Sequence, residues 1–224
     1  MLKNKQVLVF VLLFAAISLK AQDKVNLLNG KVLEGTVTST ADEKISLTMT
    51  SKKGKVFDTY IENYRAFSIL SKDGSETIIY KQDSTIGNFL TVPDMQFYLL
   101  GEQDAYKNYR PMGTMILGTT LGIGLGIFDT YNFGDPADPT VAKGFFKSGP
   151  GFLTIFYPFI FTAIAGIAPR PQLDIHNISN RNNLNSEHFI QGFARVARFK
   201  RTIRAFVFSF AGSALGLGSY YLFR

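Results

Sequence analysis

Three stretches without a single charged side chain occupy the second half of this chain: residues 111–128, 150–168 and 205–223, of 18, 19 and 19 residues. A helix crossing a bilayer needs about 20 consecutive, mostly apolar residues, with a range of about 17–25. Each stretch meets that length, and charged residues stand at the edges: Arg110, Asp129, Arg170, Arg204 and Arg224. Three such segments in 224 residues point to lipid rather than a water-soluble core as their surroundings. The spacing of small residues refines this expectation. Gly118, Gly122 and Gly126 fall on one helical stripe, and Gly212 and Gly216 repeat the interval in the third segment. Apolar burial does not drive helices together in lipid, whose tails are equally apolar; small residues four apart instead let two backbones approach closely. These five glycines are therefore the expected helix-packing face, whether within the chain or against a second copy.

No ionisable residue lies inside any of the three segments. Proton- and ion-coupled transporters place carboxylates, histidines or basic groups there, so a coupled transporter is disfavoured. Positive charge is confined elsewhere. Residues 22–110 carry eleven Lys/Arg against twelve Asp/Glu, and residues 111–224 carry ten against five. The excess gathers in 186–204, which reads as an amphipathic helix starting at Ser186. Phe189, Phe193, Val196 and Ile203 lie to one side, and Arg195, Arg198, Arg201 and Arg204 are placed to bind anionic lipid headgroups. This local clustering is unlike a nucleic-acid-binding face. There are no cysteines, which excludes disulfides, thiolate metal sites, a cysteine nucleophile and an acylated N-terminal cysteine. His176 and His188 stand twelve apart with no acidic cluster beside them. No metal, cofactor or catalytic constellation is expected.

The first 21 residues have the anatomy of an export leader: Lys3 and Lys5, an apolar run from Val7 to Leu19, and the small Ala21 before a polar stretch. Cleavage after Ala21 would begin the mature chain at Gln22, outside the cytoplasm. Residues 22–88 then read as five short strands. Asn29-Gly30 and Asp73-Gly74 are tight-turn pairs that tolerate positive φ. Ile45-Ser46-Leu47-Thr48-Met49 alternates as a half-buried strand does. Lys31 to Thr38 precedes it, Val56 to Ile61, Phe67 to Leu70 and Thr77 to Tyr80 complete the set, and regular short strands suggest a small barrel or curled sheet. Leu28-Asn29-Gly30, Gly35 and Asp42 ahead of alternating apolar residues resemble the SH3-like and Sm-like small barrels. The Sm resemblance implies RNA binding, but 61–66 reads Ile-Glu-Asn-Tyr-Arg-Ala in place of that family's second motif, and no nucleic-acid partner is expected. A linking helix follows over 89–110, with Asp94 as its N-cap and a break near Gly101. Glu102 and Asp104 on it are expected at the solvated surface.

The fold class expected is thus an α+β membrane protein: a five-stranded barrel-like domain over 22–88, a linking helix and a membrane region over 111–224. The charges conflict with the simplest topology. Three crossings after an exported start put 169–204 outside, whereas seven arginines and lysines against two acids in that loop favour the cytoplasm. Failure of one of the first two segments to cross, with 111–128 the weaker insertion candidate, would remove the conflict, and so would an outer membrane. The inner membrane is favoured, with the barrel in the periplasm. The Ala21-Gln22 junction, Asn29-Gly30, Leu100 to Ala105, and Gly192-Phe193-Ala194-Arg195 running to Arg201-Thr202 resemble small Bacteroidota cell-envelope proteins. That resemblance implies no activity. The expected role is a non-enzymatic membrane-anchored interaction or scaffold protein that contacts membrane lipid and either itself or another membrane protein. The alternative is a small channel or a subunit of an envelope transport or secretion complex.

Overall fold

The structure is a computed structural model. It describes residues 22–51, 53–138, 140–149, 151–169 and 178–223; the expected export leader, His176 and Arg224 lie outside the described residues. The chain divides into a sheet unit ending at Val92 and a helical unit beginning at Pro93.

The sheet unit has six strands rather than five: β1 Asp23–Leu27, β2 Val32–Ser39, β3 Lys44–Thr50, β4 Val56–Glu62, β5 Ala66–Leu70 and β6 Glu76–Ile78. All pairings are antiparallel, in the order β4-β3-β2-β1-β5-β6. β4 and β6 do not pair, so the sheet is open and the closed-barrel expectation is corrected. The turns follow the sequence. Gly30, Gly54 and Gly74 have φ of 74°, 78° and 88°, the left-handed region that favours glycine. Between β2 and β3 the same region is taken by Asp42 and Glu43. One face buries Val25, Leu27, Ile45, Leu47, Ile61, Ala66 and Ile69. Asp23 fixes the middle strands from their end, its two carboxylate oxygens accepting from the Val37 amide at 2.9 Å and the Lys72 amide at 2.9 Å.

The helical unit contains α1 Val92–Asn108, α2 Met112–Phe128, α3 Phe152–Ile167 and α4 Glu187–Phe223. α1 runs unbroken through Gly101, and α1 and α2 meet at 49°. Pro111, which has no N–H to continue a helix, stands at that junction. The expected amphipathic helix 186–204 and the apolar segment 205–223 are one continuous helix of 37 residues, about 55 Å long at 1.5 Å per residue. Ser186 caps it, accepting from the Phe189 amide at 3.4 Å. α3 is shorter than its apolar segment, at 16 residues, with Pro158 inside. Among the described residues one helix, α4, is by itself long and apolar enough to cross a membrane; α1 and α2 pass that test only as a bent pair. No more than 28% of the most apolar stretch of α4 is buried in the protein.

Candidate functional site: a glycine seam and the cations beside it

Contacts along α4 set the direction of every other helix. Gly101 of α1 lies against Phe189 and Phe193, Gly118 of α2 against Ala205 and Ser209, and Gly126 against Gly216. α1 and α2 therefore run parallel to α4. α3 runs the other way: its Tyr157 hydroxyl donates to the Gly118 carbonyl at 3.2 Å, and its Gly166 lies near Thr202.

The five glycines expected to pack all meet at the α2–α4 crossing. A methyl at Gly122 would lie 2.8 Å from both the Ser209 carbonyl oxygen and the Ser213 amide nitrogen. One at Gly126 would lie 3.0 Å from the Gly216 Cα, and one at Gly212 would collide with the Thr119 backbone. The partner helix is thus in the same chain. Small and hydroxylated residues (Ser209, Ser213, Thr154) are buried among the three apolar helices, while Ile116, Leu121, Ile160, Ile164, Phe210 and Leu215 face outward. This inverts the ordinary distribution of a soluble bundle.

A second glycine crossing joins α1 to α4, where Gly101 and Gly192 each press on the other helix's backbone. The sequence reading took Gly101 only as a weak point, although Gly101 and Ala105 have the same small-residue spacing. Beside this crossing Glu102 is fully buried and Asp104 nearly so, which corrects their placement at the solvated surface. Glu102 Oε1 accepts from Arg195 Nη1 at 2.6 Å, while Oε2 has no partner. Burial pushes the Glu102 carboxyl above the ordinary carboxylate range, and the Arg195 charge pulls it part of the way back. Asp104 accepts from the Ser179 hydroxyl and the Asn108 amide, each at 2.6 Å.

The four arginines expected at headgroups separate into two kinds. Arg195 is engaged by Glu102. Arg201 closes the end of α3, its guanidinium donating to the Ala168 carbonyl at 2.7 Å and the Pro169 carbonyl at 2.8 Å. Lys200 does the same for α1, donating to the carbonyls of Ala105 at 3.1 Å and Tyr106 at 3.0 Å. Cations at helix C-termini complement the negative pole of the dipole and add to the hydrogen bonding of the last carbonyls. Arg198 and Arg204 are exposed, and no hydrogen bond or ion pair to either side chain is found among the described residues. At the opposite end of the apolar helices Asp129 accepts from the Gly151 and Thr154 amides at 2.8 and 2.9 Å and from the Thr154 hydroxyl at 2.7 Å. It is the cap of α3, supplied by the end of α2. An aromatic loop adjoins it, with Tyr131 edge-on to both Phe133 and Phe145 at 4.8 Å.

Among the described residues no group of three His, Cys, Asp or Glu side chains is placed to hold a metal ion. No family model, curated protein or solved structure matches the chain.

Proposed function

We propose that this chain is a non-enzymatic membrane-anchored interaction or scaffold protein of the bacterial cell envelope, anchored by the helical unit and presenting the sheet unit to a partner. The observation that carries this reading is the inverted polarity of α2, α3 and the second half of α4. The five seam glycines, Ser209 and Ser213 face inward, and most of the large aliphatic and aromatic side chains face outward, Tyr157 and Tyr220 excepted. Water would penalise such a surface at roughly 25 cal/mol per Å² of apolar area, whereas lipid would not. The span between the cations near residue 201 and the aromatic loop after Asp129 supports the same reading. Helices of 16 and 17 residues cover about 25 Å, slightly short of a 30 Å hydrocarbon layer. Local thinning and long basic side chains at one face accommodate such a difference.

Partner binding falls to the sheet unit, because the glycine stripe is already occupied within the chain. β4 is an edge strand, and Val56, Tyr60 and nearby Tyr64 are exposed by 60%, 67% and 65%. An open edge accepts an added strand from a second copy or another membrane protein. An export leader would put the sheet unit outside the cytoplasm, and we favour the inner membrane with that unit in the periplasm; the cations near residue 201 would then face the periplasm, against the positive-inside rule.

Fractionation tests the anchor. The mature chain should stay with membranes through alkaline carbonate and float with vesicles; release into the soluble fraction would refute it. Reporter fusions at residues 100, 140, 190 and 224 test the topology, with 140 opposite to the other two internal sites if all three helices cross.

A further inference from the structure

We propose that Arg110 and Arg204 form a binding site for the phosphate headgroup of an anionic phospholipid, resting on the membrane reading above and naming the lipid class that this end of the bundle selects. The cations here are sorted by what already holds them. Arg195, Lys200 and Arg201 are committed to Glu102 and to helix-end carbonyls. Arg110 and Arg204 are exposed, come from the α1–α2 junction and from α4, and make no ion pair among the described residues. Lys200 brings them to one level of the bundle: its ammonium bonds the α1 carbonyls of Ala105 and Tyr106, Arg110 follows those carbonyls by five and four residues, and Arg204 follows Lys200 by one turn of the parallel α4. Burial, and then the charges of Arg204 and Arg110, hold its ammonium below the ordinary lysine value. The first turn of α2 begins beside Arg110, adding the positive pole of its dipole. Like charges so placed repel, and an anion seated between them removes the repulsion. The surface running away from them is apolar: Met112, Ile116 and Val207 are exposed by 54%, 60% and 47%. A free inorganic anion would gain nothing from those side chains. A phospholipid would engage them with its acyl chains while its phosphate met the guanidinium groups, which bind phosphate oxygens in bidentate geometry.

Arg198 provides the control, being exposed too but about 200° around α4 from Lys200, where Arg204 is about 40° from it. The full mature chain in neutral detergent is titrated with short-chain phosphatidylglycerol, phosphatidylcholine or inorganic phosphate, and bound lipid is counted by native mass spectrometry. Saturable binding of phosphatidylglycerol is expected, with weak binding of phosphatidylcholine and none of phosphate. Arg110→Gln and Arg204→Gln should each weaken phosphatidylglycerol binding about fivefold or more, and Arg198→Gln should weaken it less than twofold. Equal binding of the two lipids would overturn the proposal, as would binding of phosphate alone or an Arg198→Gln loss equal to the other two. Vesicle flotation of the same protein separates the two readings. A chain that floats without preferring phosphatidylglycerol loses this site and keeps its anchor; one that does not float loses both.

Discussion

Replacing Gly122 by alanine should weaken the protein, whereas the same change two residues later should strengthen it. Both glycines are in α2. At Gly124 nothing lies within 4 Å of an added methyl, so alanine contributes its helix-propensity advantage of about 0.8–1.0 kcal/mol. At Gly122 the methyl would stand 2.8 Å from the Ser209 carbonyl oxygen. An unstrained carbon–oxygen contact needs about 3.3–3.6 Å, so α2 must retreat from α4 by roughly 0.5–0.8 Å. A gap of that size forfeits about a quarter to a half of each dispersion contact along the seam. The overpacking term is about 1–3 kcal/mol. Because the propensity gain is common to both variants, the difference between them isolates that term. Reversible unfolding in mixed micelles, followed by helical circular dichroism, measures it. Gly124→Ala should be at least about 1 kcal/mol more stable than Gly122→Ala. Equal stabilities would refute the close-packed seam.

Other perturbations probe the surrounding contacts. Arg195→Met leaves the buried Glu102 carboxyl without its cation. Burial then raises that carboxyl's folded-state pKa further, so stability is retained at low pH and lost as the pH rises; micellar unfolding should show a larger deficit at pH 8 than at pH 5. Asp129→Ala removes three hydrogen bonds at the start of α3 and should cost about 1–2 kcal/mol in the same assay, with faster amide exchange at Thr154. Asp23→Ala frees the Val37 and Lys72 amides and should speed their exchange while leaving the helical unit's amides unchanged.

Local signals in the sequence reached the elements but not their closure. The turns at Asn29-Gly30 and Asp73-Gly74 were readable because they need positive φ, and the strand alternation around Ile45 because one face is buried. Whether β4 returns to pair with the far edge is a property of sheet curvature, which no residue pattern encodes. The junction at residue 204 was similarly invisible: hydropathy changes there, but nothing in the residues stops the helix, so amphipathic and apolar halves form one rod. The glycine stripes were legible as a spacing, since small residues recur at every fourth position. The helix they meet was not, because Gly122 and Ser209 are 87 positions apart in the chain. Glu102 was misplaced for the converse reason. A carboxylate on a polar helix reads as solvated until the neighbouring helix, ninety residues away, brings Arg195 over it. The headgroup arginines were read from charge alone, which cannot distinguish Arg201, engaged at the end of α3, from Arg204, which is free of such contacts.

The chain has no cysteine, so a single spin label can be placed anywhere on it. Ile160 on α3 is 51% exposed and faces away from the bundle. With Ile160→Cys labelled and the protein in vesicles, the label should collide readily with dissolved oxygen and be shielded from a water-soluble nickel chelate. Free access of the chelate to that position, in a chain that stays monodisperse in plain buffer, would contradict the lipid-facing surface.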